Sequence, residues 1–115
     1  MKSSAKILVC DDDLLRISVF KKMLPEFFIG SNMDFALNYQ EAVDHLKNDV
    51  YDVIFLDHDL GVGKTGYDVA LWMKENIENP PDVIIHSMNP IGAKNILGVF
   101  PFAKWISWDN LLKNY

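Results

Sequence analysis

Cysteine is almost absent from this chain. Cys10 stands alone among 115 residues, so an intrachain disulfide is impossible, and so is a zinc site built from cysteines. Its neighbours in KILVC, residues 6–10, mark it as a buried thiol within a strand. Long apolar runs are missing as well. None approaches the roughly 18 residues of a membrane span, and the N-terminus carries no signal-peptide pattern. The expectation is a soluble, cytoplasmic protein without membrane contact, from a cell or from a virus replicating in one. Positive charge is scarce too. Eleven basic residues face sixteen acidic ones, and the net charge of −5 excludes a broad basic face for nucleic acid and with it DNA readout. A small phosphate-bearing ligand held through a metal is still compatible with that balance.

What is present is apolar and regularly spaced. Half the residues are hydrophobic and 12% are aromatic, which a disordered chain would not carry. The length predicts one domain, residues 1–115, with no repeat, linker or low-complexity tract. Five strand-like runs are KILVC (6–10), MDFAL (33–37), DVIFL (52–56), DVIIHS (82–87) and FAKWI (102–106). The third and fourth are nearly continuous apolar runs, as parallel strands covered on both faces require.

Helix signals fill the gaps. Leu15, Val19 and Met23 repeat at helical spacing, with Pro25 expected to close that segment. Asn38 followed by Glu41 reads as a capping box before Ala42, Val43 and Leu46. Thr65 with Asp68 reads as the cap of a helix that carries Val69, Trp72, Met73 and Ile77 inward and ends before Pro80-Pro81. Asn89-Pro90 suits an N-cap and first helical position, and Gly98 and Pro101 limit the length of that helix. A short last helix starts near Trp108. The alternation predicts an α/β fold: a single doubly wound, five-stranded parallel sheet of flavodoxin-like order 2-1-3-4-5, helices on both faces.

In such a sheet, ligands gather outside the carboxyl ends of the strands, at the topological switch point. Asp11, Asp12 and Asp13 follow directly on the first strand, and Asp57 and Asp59 end the third. With strands one and three adjacent, these carboxylates share one small crater, where they repel at an effective dielectric of about 20. Protonation relieves that, or a hard divalent cation such as Mg2+ (or Mn2+), which takes carboxylates and bridges to a phosphate oxygen. Asp13 has a simpler reading as the N-cap of the first helix.

ILVCDDD, YDVIFLDHDLG and VIIHS, at these distances, resemble the receiver domain of two-component response regulators, the CheY-like superfamily. The resemblance implies that Asp57 is the phosphoacceptor. It implies that Asp11 and Asp12 hold magnesium together with Asp57 and the carbonyl of Asp59, and that Ser87 contacts the phosphoryl group. A receiver's lysine-proline pair is missing; Lys104 is followed by Trp105, and is the candidate for a phosphate-contacting lysine or else a solvated edge residue.

Two histidines exceed what a plain receiver needs. His58 lies between Asp57 and Asp59, and His86 precedes Ser87. Two imidazoles by an acidic, phosphate-sized crater suit general acid and base roles. Strand alternation predicts that His86 turns away from the crater, which makes His58 the first choice as catalyst. LDHDLG, TGYDVA and HSMNPIGAK together resemble the cyclic-phosphate processing receiver-like variant. That resemblance implies a metal-dependent hydrolase acting on cyclic phosphate ends, of RNA or of a nucleotide, with Ser87 and Asn89 donating to phosphate oxygens. Two other readings stay open. One is a phosphoaspartate-accepting regulator served by a histidine kinase; the other is a degenerate receiver that binds through Phe100, Phe102, Trp105 and Trp108. GVGKTG (61–66) imitates a P-loop but has His58 where the first glycine belongs, so Gly61, Gly63 and Gly66 read as a mobile lid carrying Lys64.

Overall fold

Each apolar run is a strand with a helix behind it. The structure, a computed structural model, describes residues 5–27 and 32–114. Strands β1 (Lys6–Cys10), β2 (Asn32–Ala36), β3 (Val53–Leu56), β4 (Asp82–Ile85) and β5 (Lys104–Trp105) alternate with five helices. These are α1 (Leu14–Phe27), α2 (Tyr39–Asn48), α3 (Gly66–Asn76), α4 (Pro90–Val99) and α5 (Trp108–Asn114). The sheet is parallel throughout, in the order β2-β1-β3-β4-β5. Among the described residues no helix is long and apolar enough to cross a membrane.

Side chains alternate across the strands, and both faces are covered. Leu8, Cys10, Ile54, Leu56, Val83 and Ile85 pack on one face against Ala42, Val69, Met73 and Ile96 of α2, α3 and α4. Ile7, Val9 and Phe55 pack on the other against Phe20 and Met23 of α1 and Leu111 of α5. Hence the central strands read as unbroken apolar runs. Each of the Val, Leu, Ile, Met and Phe side chains taken fully out of water contributes roughly 1.5–3 kcal/mol before entropy is charged.

The caps follow their residues. Asn38 Oδ1 accepts the Glu41 amide at 2.9 Å, and Glu41 reaches back to the Leu37 amide rather than that of Asn38. The Thr65 amide donates to Asp68 at 2.7 Å. Asn89 Oδ1 accepts the Gly92 amide at 3.1 Å, with Pro90 in the first helical position. Asp13 Oδ1 accepts the amides of Leu15 and Arg16, at 2.8 and 3.3 Å, and so caps α1.

Several boundaries differ from expectation. α1 continues past Pro25 to Phe27. Among its described side chains Ile17, Phe20 and Met23 are buried, while Leu15 is exposed and Val19 only half-buried. β4 stops at Ile85, two residues short of the predicted run, because the chain leaves the sheet there and Ser87 Oγ accepts the Asn89 amide. β5 keeps only Lys104 and Trp105, since Pro101 and Phe102 form a turn closed by the Ala103 amide on the Phe100 carbonyl. Of the C-terminal aromatics, Phe100 is buried, Trp108 packs on Phe20, Phe102 is exposed, and Trp105 is exposed in part.

Candidate functional site

Three adjacent strands deliver their next residues to one place. Cys10, Leu56 and Ile85 are level across β1, β3 and β4. The Asp57 amide donates to the Cys10 carbonyl at 3.1 Å, and the His86 amide to the Leu56 carbonyl at 3.2 Å. Asp11, Asp57 and His86 therefore stand side by side just beyond the sheet. All three are buried, as is Ser87. One ligand atom from each of Asp11, Asp57 and His86 lies within 4.8 Å of the others. Two carboxylate oxygens and an imidazole nitrogen form a donor set suited to a hard or borderline divalent ion. Asp12 and Asp59 lie exposed at the rim.

Arg16, two residues into α1, enters this crater from the solvent side and went unnoticed in the sequence. Its Nε donates to Asp11 Oδ2 at 2.8 Å and its Nη2 to Asp11 Oδ1 at 3.1 Å, a forked pair. Nη2 also donates to Asp57 Oδ2 at 3.2 Å. Asp12 and Asp13 lie within 4.0 and 3.8 Å of the same guanidinium. The available signal was a basic residue one helical turn beyond a strand-end acid.

The carboxyls respond in opposite directions. Burial works to raise Asp11, but hydrogen bonds from His86, Arg16 and the Asp13 amide outweigh it and hold the group below the usual carboxylate range. Burial raises Asp57; His86 and Arg16 pull it back, while the Asp11 charge adds to the rise, and the group ends above its ordinary value. The hydrogen bonds to Asp11 keep Arg16 firmly charged.

His86 points into the crater, contrary to the alternation argument. Nε2 lies 2.9 Å from Asp11 Oδ2. An ionised carboxylate can only accept, so Nε2 carries the proton. The ring stands edge-on to Phe20, with centroids 5.2 Å apart, and Nδ1 has no hydrogen-bond partner among the described residues. Alternation fails as a guide because His86 lies one residue past the end of β4.

His58 takes the rim. Its Nδ1 is 3.1 Å from Asp59 Oδ1, and its ring lies flush on the backbone of Gly92 in α4, where any Cβ would collide with it. Gly66 is needed for a similar reason: a Cβ there would overlap the Asp57 carbonyl, and the Gly66 amide donates to the His58 carbonyl at 2.7 Å. Gly66 is thus the buried first residue of α3 and no part of a lid. Lys64 has turned to the Tyr39 ring, 4.6 Å from its centroid.

The phosphate-contacting candidates divide. Ser87 is buried beside His86, its hydroxyl accepting the Asn89 amide, while the Asn89 side chain caps α4. Lys104 does not join them. It is exposed on the edge strand level with Ile84, and among the described residues no hydrogen bond or ion pair ties it to the crater. The next residue, Trp105, is the one that turns inward: its indole N–H donates to the Ser87 carbonyl at 3.1 Å.

Comparison with known proteins agrees with this arrangement. The cyclic-phosphate processing Receiver domain family matches residues 7–101. A sensory transduction protein LytR from Staphylococcus haemolyticus is 32% identical over 79 residues, which cover 69% of this chain but only 30% of that protein's length. Among solved structures, a two-component response regulator from Clostridium difficile superposes with a TM-score of 0.78 at 23% identity, covering 97% of this chain and 90% of that one. The response regulator TrrA from Thermotoga maritima, in complex with Mg2+-BeF, gives 0.77 at 24% identity, over 99% and 95% of the two chains. The chemotaxis response regulator CheY4 of Vibrio cholerae gives 0.77 at 20%, over 96% and 95%. With the fold of CheY-like response regulators, an acidic crater at the switch point and a family match across most of its length, the chain belongs to the cyclic-phosphate processing receiver domains.

Proposed function

We propose that the crater hydrolyses a cyclic phosphodiester at the end of an RNA or on a nucleotide. The observation that carries this reading is the buried His86–Asp11 pair beside Asp57. An imidazole held in one tautomer by a carboxylate is an arrangement for moving a proton. The carboxylates of Asp11 and Asp57, with Asp12 and Asp59 at the rim, fit a divalent cation, magnesium or manganese, once Arg16 moves aside. When bound, such an ion polarises the phosphoryl group and lowers the cost of its developing charge.

The residues of the chain do the rest. Asp11, Asp12 and Asp57, with the Asp59 carbonyl, would hold the cation. His58 takes the proton of the attacking water at the rim, where Asp59 steadies its ring. Water oxygen bonds to phosphorus, and one ring P–O bond breaks. His86, entering the step as imidazolium, gives its Nε2 proton to the departing alkoxide and is left neutral, and the proton taken by His58 passes back to it through solvent, so a phosphomonoester and a free hydroxyl result. Ser87 and Asn89 donate to the phosphate oxygens. Lys104, exposed on the edge strand, is left without a role in this scheme. The acidic net charge favours recognition of one phosphate end over a long stretch of nucleic acid.

A second reading has its own support. Asp57 is a buried carboxylate at the carboxyl end of β3, with the Ser87 hydroxyl on the neighbouring strand's extension. In this reading Asp57 attacks the phosphohistidine of a histidine kinase and the acyl phosphate changes a partner surface. Phosphorus NMR with magnesium separates the two, with nucleoside 2′,3′-cyclic phosphates and acetyl phosphate offered in turn. Catalytic loss of the cyclic species is the expected result; an acyl phosphate with no loss of the cyclic species would overturn the hydrolytic reading.

A further inference from the structure

The chain has eleven basic residues, and Arg16 is its only arginine. That arginine lies in the acidic crater. It makes three hydrogen bonds of 3.2 Å or less, two to Asp11 and one to Asp57, and lies near Asp12 and Asp13 as well. A lysine is a point charge on a flexible stem, whereas a guanidinium is a planar fork able to bridge two carboxylates at once. The bridged groups, Asp11 and Asp57, are the oxygen donors that a divalent ion would need. Guanidinium and ion cannot both occupy the space between them.

We propose that Arg16 is the resting counter-cation of the crater, which a divalent ion must displace, and that the displaced guanidinium then becomes the anion-binding group for phosphate. The inference rests on the crater being a cation and phosphate site, as proposed above. Arg16 is suited to both positions. Its side chain is 26% exposed, while those of Asp11 and Asp57 are 0% and 5% exposed, so it enters from the open side and can swing back the same way. Its backbone belongs to the first turn of α1, which Asp13 caps, so the released group stays tethered at the mouth. Other cations are turned elsewhere: Lys64 sits over Tyr39, and Lys104 is exposed on the edge strand.

Coupling follows from this exchange. With Arg16 locked on carboxylates, phosphate meets net negative charge and binds weakly. Once the carboxylates hold a divalent ion, both the ion and the freed guanidinium face the phosphate. Cation and phosphate then bind each other's complex more tightly than either binds alone, and by the same factor in each direction.

Calorimetric titration with magnesium chloride and with inorganic phosphate tests this, on the parent protein, Arg16→Gln and Arg16→Lys, each checked for a cooperative melt. Arg16→Gln should bind magnesium roughly tenfold more tightly, because a competing charge is gone. Magnesium should raise phosphate affinity in the parent, and that gain should shrink severalfold in Arg16→Gln. Arg16→Lys, with a charge but no fork, should fall between the two on both measures. Should only Arg16→Gln bind magnesium, the displacement is supported outright. Equal or weaker magnesium binding by Arg16→Gln overturns the inference while leaving the metal site intact. Absence of magnesium binding in all three overturns both.

Discussion

His86 Nε2 donates to Asp11 Oδ2 across 2.9 Å, joining the residues just past β4 and β1 over the end of the intervening β3. Both side chains are fully buried. The contact ties the most deeply placed carboxylate of the crater to its only inward-facing imidazole among the described residues. His86→Ala leaves the Asp11 charge without one of its partners and opens space against Phe20. It should destabilise the protein by about 2–4 kcal/mol in urea unfolding. If the hydrolytic reading holds, it should also slow hydrolysis by on the order of 10²–10⁴.

His58→Ala separates chemistry from stability. Its partner Asp59 is exposed, so that contact itself contributes at most about 1 kcal/mol. Hydrolysis should drop by roughly the same factor as for His86→Ala while magnesium binding stays near that of the parent. Parent-like turnover of cyclic phosphate by His58→Ala would remove it from the proton path.

The two buried carboxyls impose opposite pH dependences. The folded state binds the Asp57 proton more tightly than the unfolded chain does, because burial raises that carboxyl. Stability therefore falls as pH rises from the ordinary carboxylate range through the raised Asp57 value. Asp11 is depressed by its hydrogen bonds despite burial, so the stability it contributes is present above the ordinary range and disappears as pH falls through its own lowered value. Asp57→Asn should remove the first dependence and, in chelator at neutral pH, stabilise the protein by about 1 kcal/mol. A clear loss of stability for Asp57→Asn under those conditions would contradict a crowded acidic crater.

Gly66→Ala and Gly92→Ala test how tightly the helices must approach β3. At Gly66 the added methyl meets the Asp57 carbonyl, backbone that cannot move without shifting the strand end; at Gly92 it meets the His58 ring. Gly92→Ala should cost roughly 1–3 kcal/mol with the ring displaced, and Gly66→Ala as much or more. Thermal melts give the order, and the His58 ring signals in NMR should shift for Gly92→Ala.

Magnesium or manganese should raise the melting temperature with the logarithm of concentration above the dissociation constant. Asp57→Ala should abolish that rise and Asp12→Ala should weaken it. A melting response that survives both substitutions would put the cation outside the crater.

Much of this architecture is written in local patterns. Continuous apolar runs such as VIFL and VII need cover on both faces, and caps such as Asn89-Pro90 mark helix starts, so strand number, helix number and parallel order follow from short-range rules. The crater follows too, because Asp11 and Asp57 come directly after strands that must be neighbours. Side-chain direction past the strand ends obeys no such rule. His86 lies beyond the last pleated residue and turns to an acid 75 positions away, while Lys104, within an edge strand, faces solvent. Arg16 reaches Asp57 across 41 positions by the length of its side chain. Such contacts depend on how α1 lies against the sheet, which packing of Phe20 and Met23 establishes and no periodicity in the chain encodes.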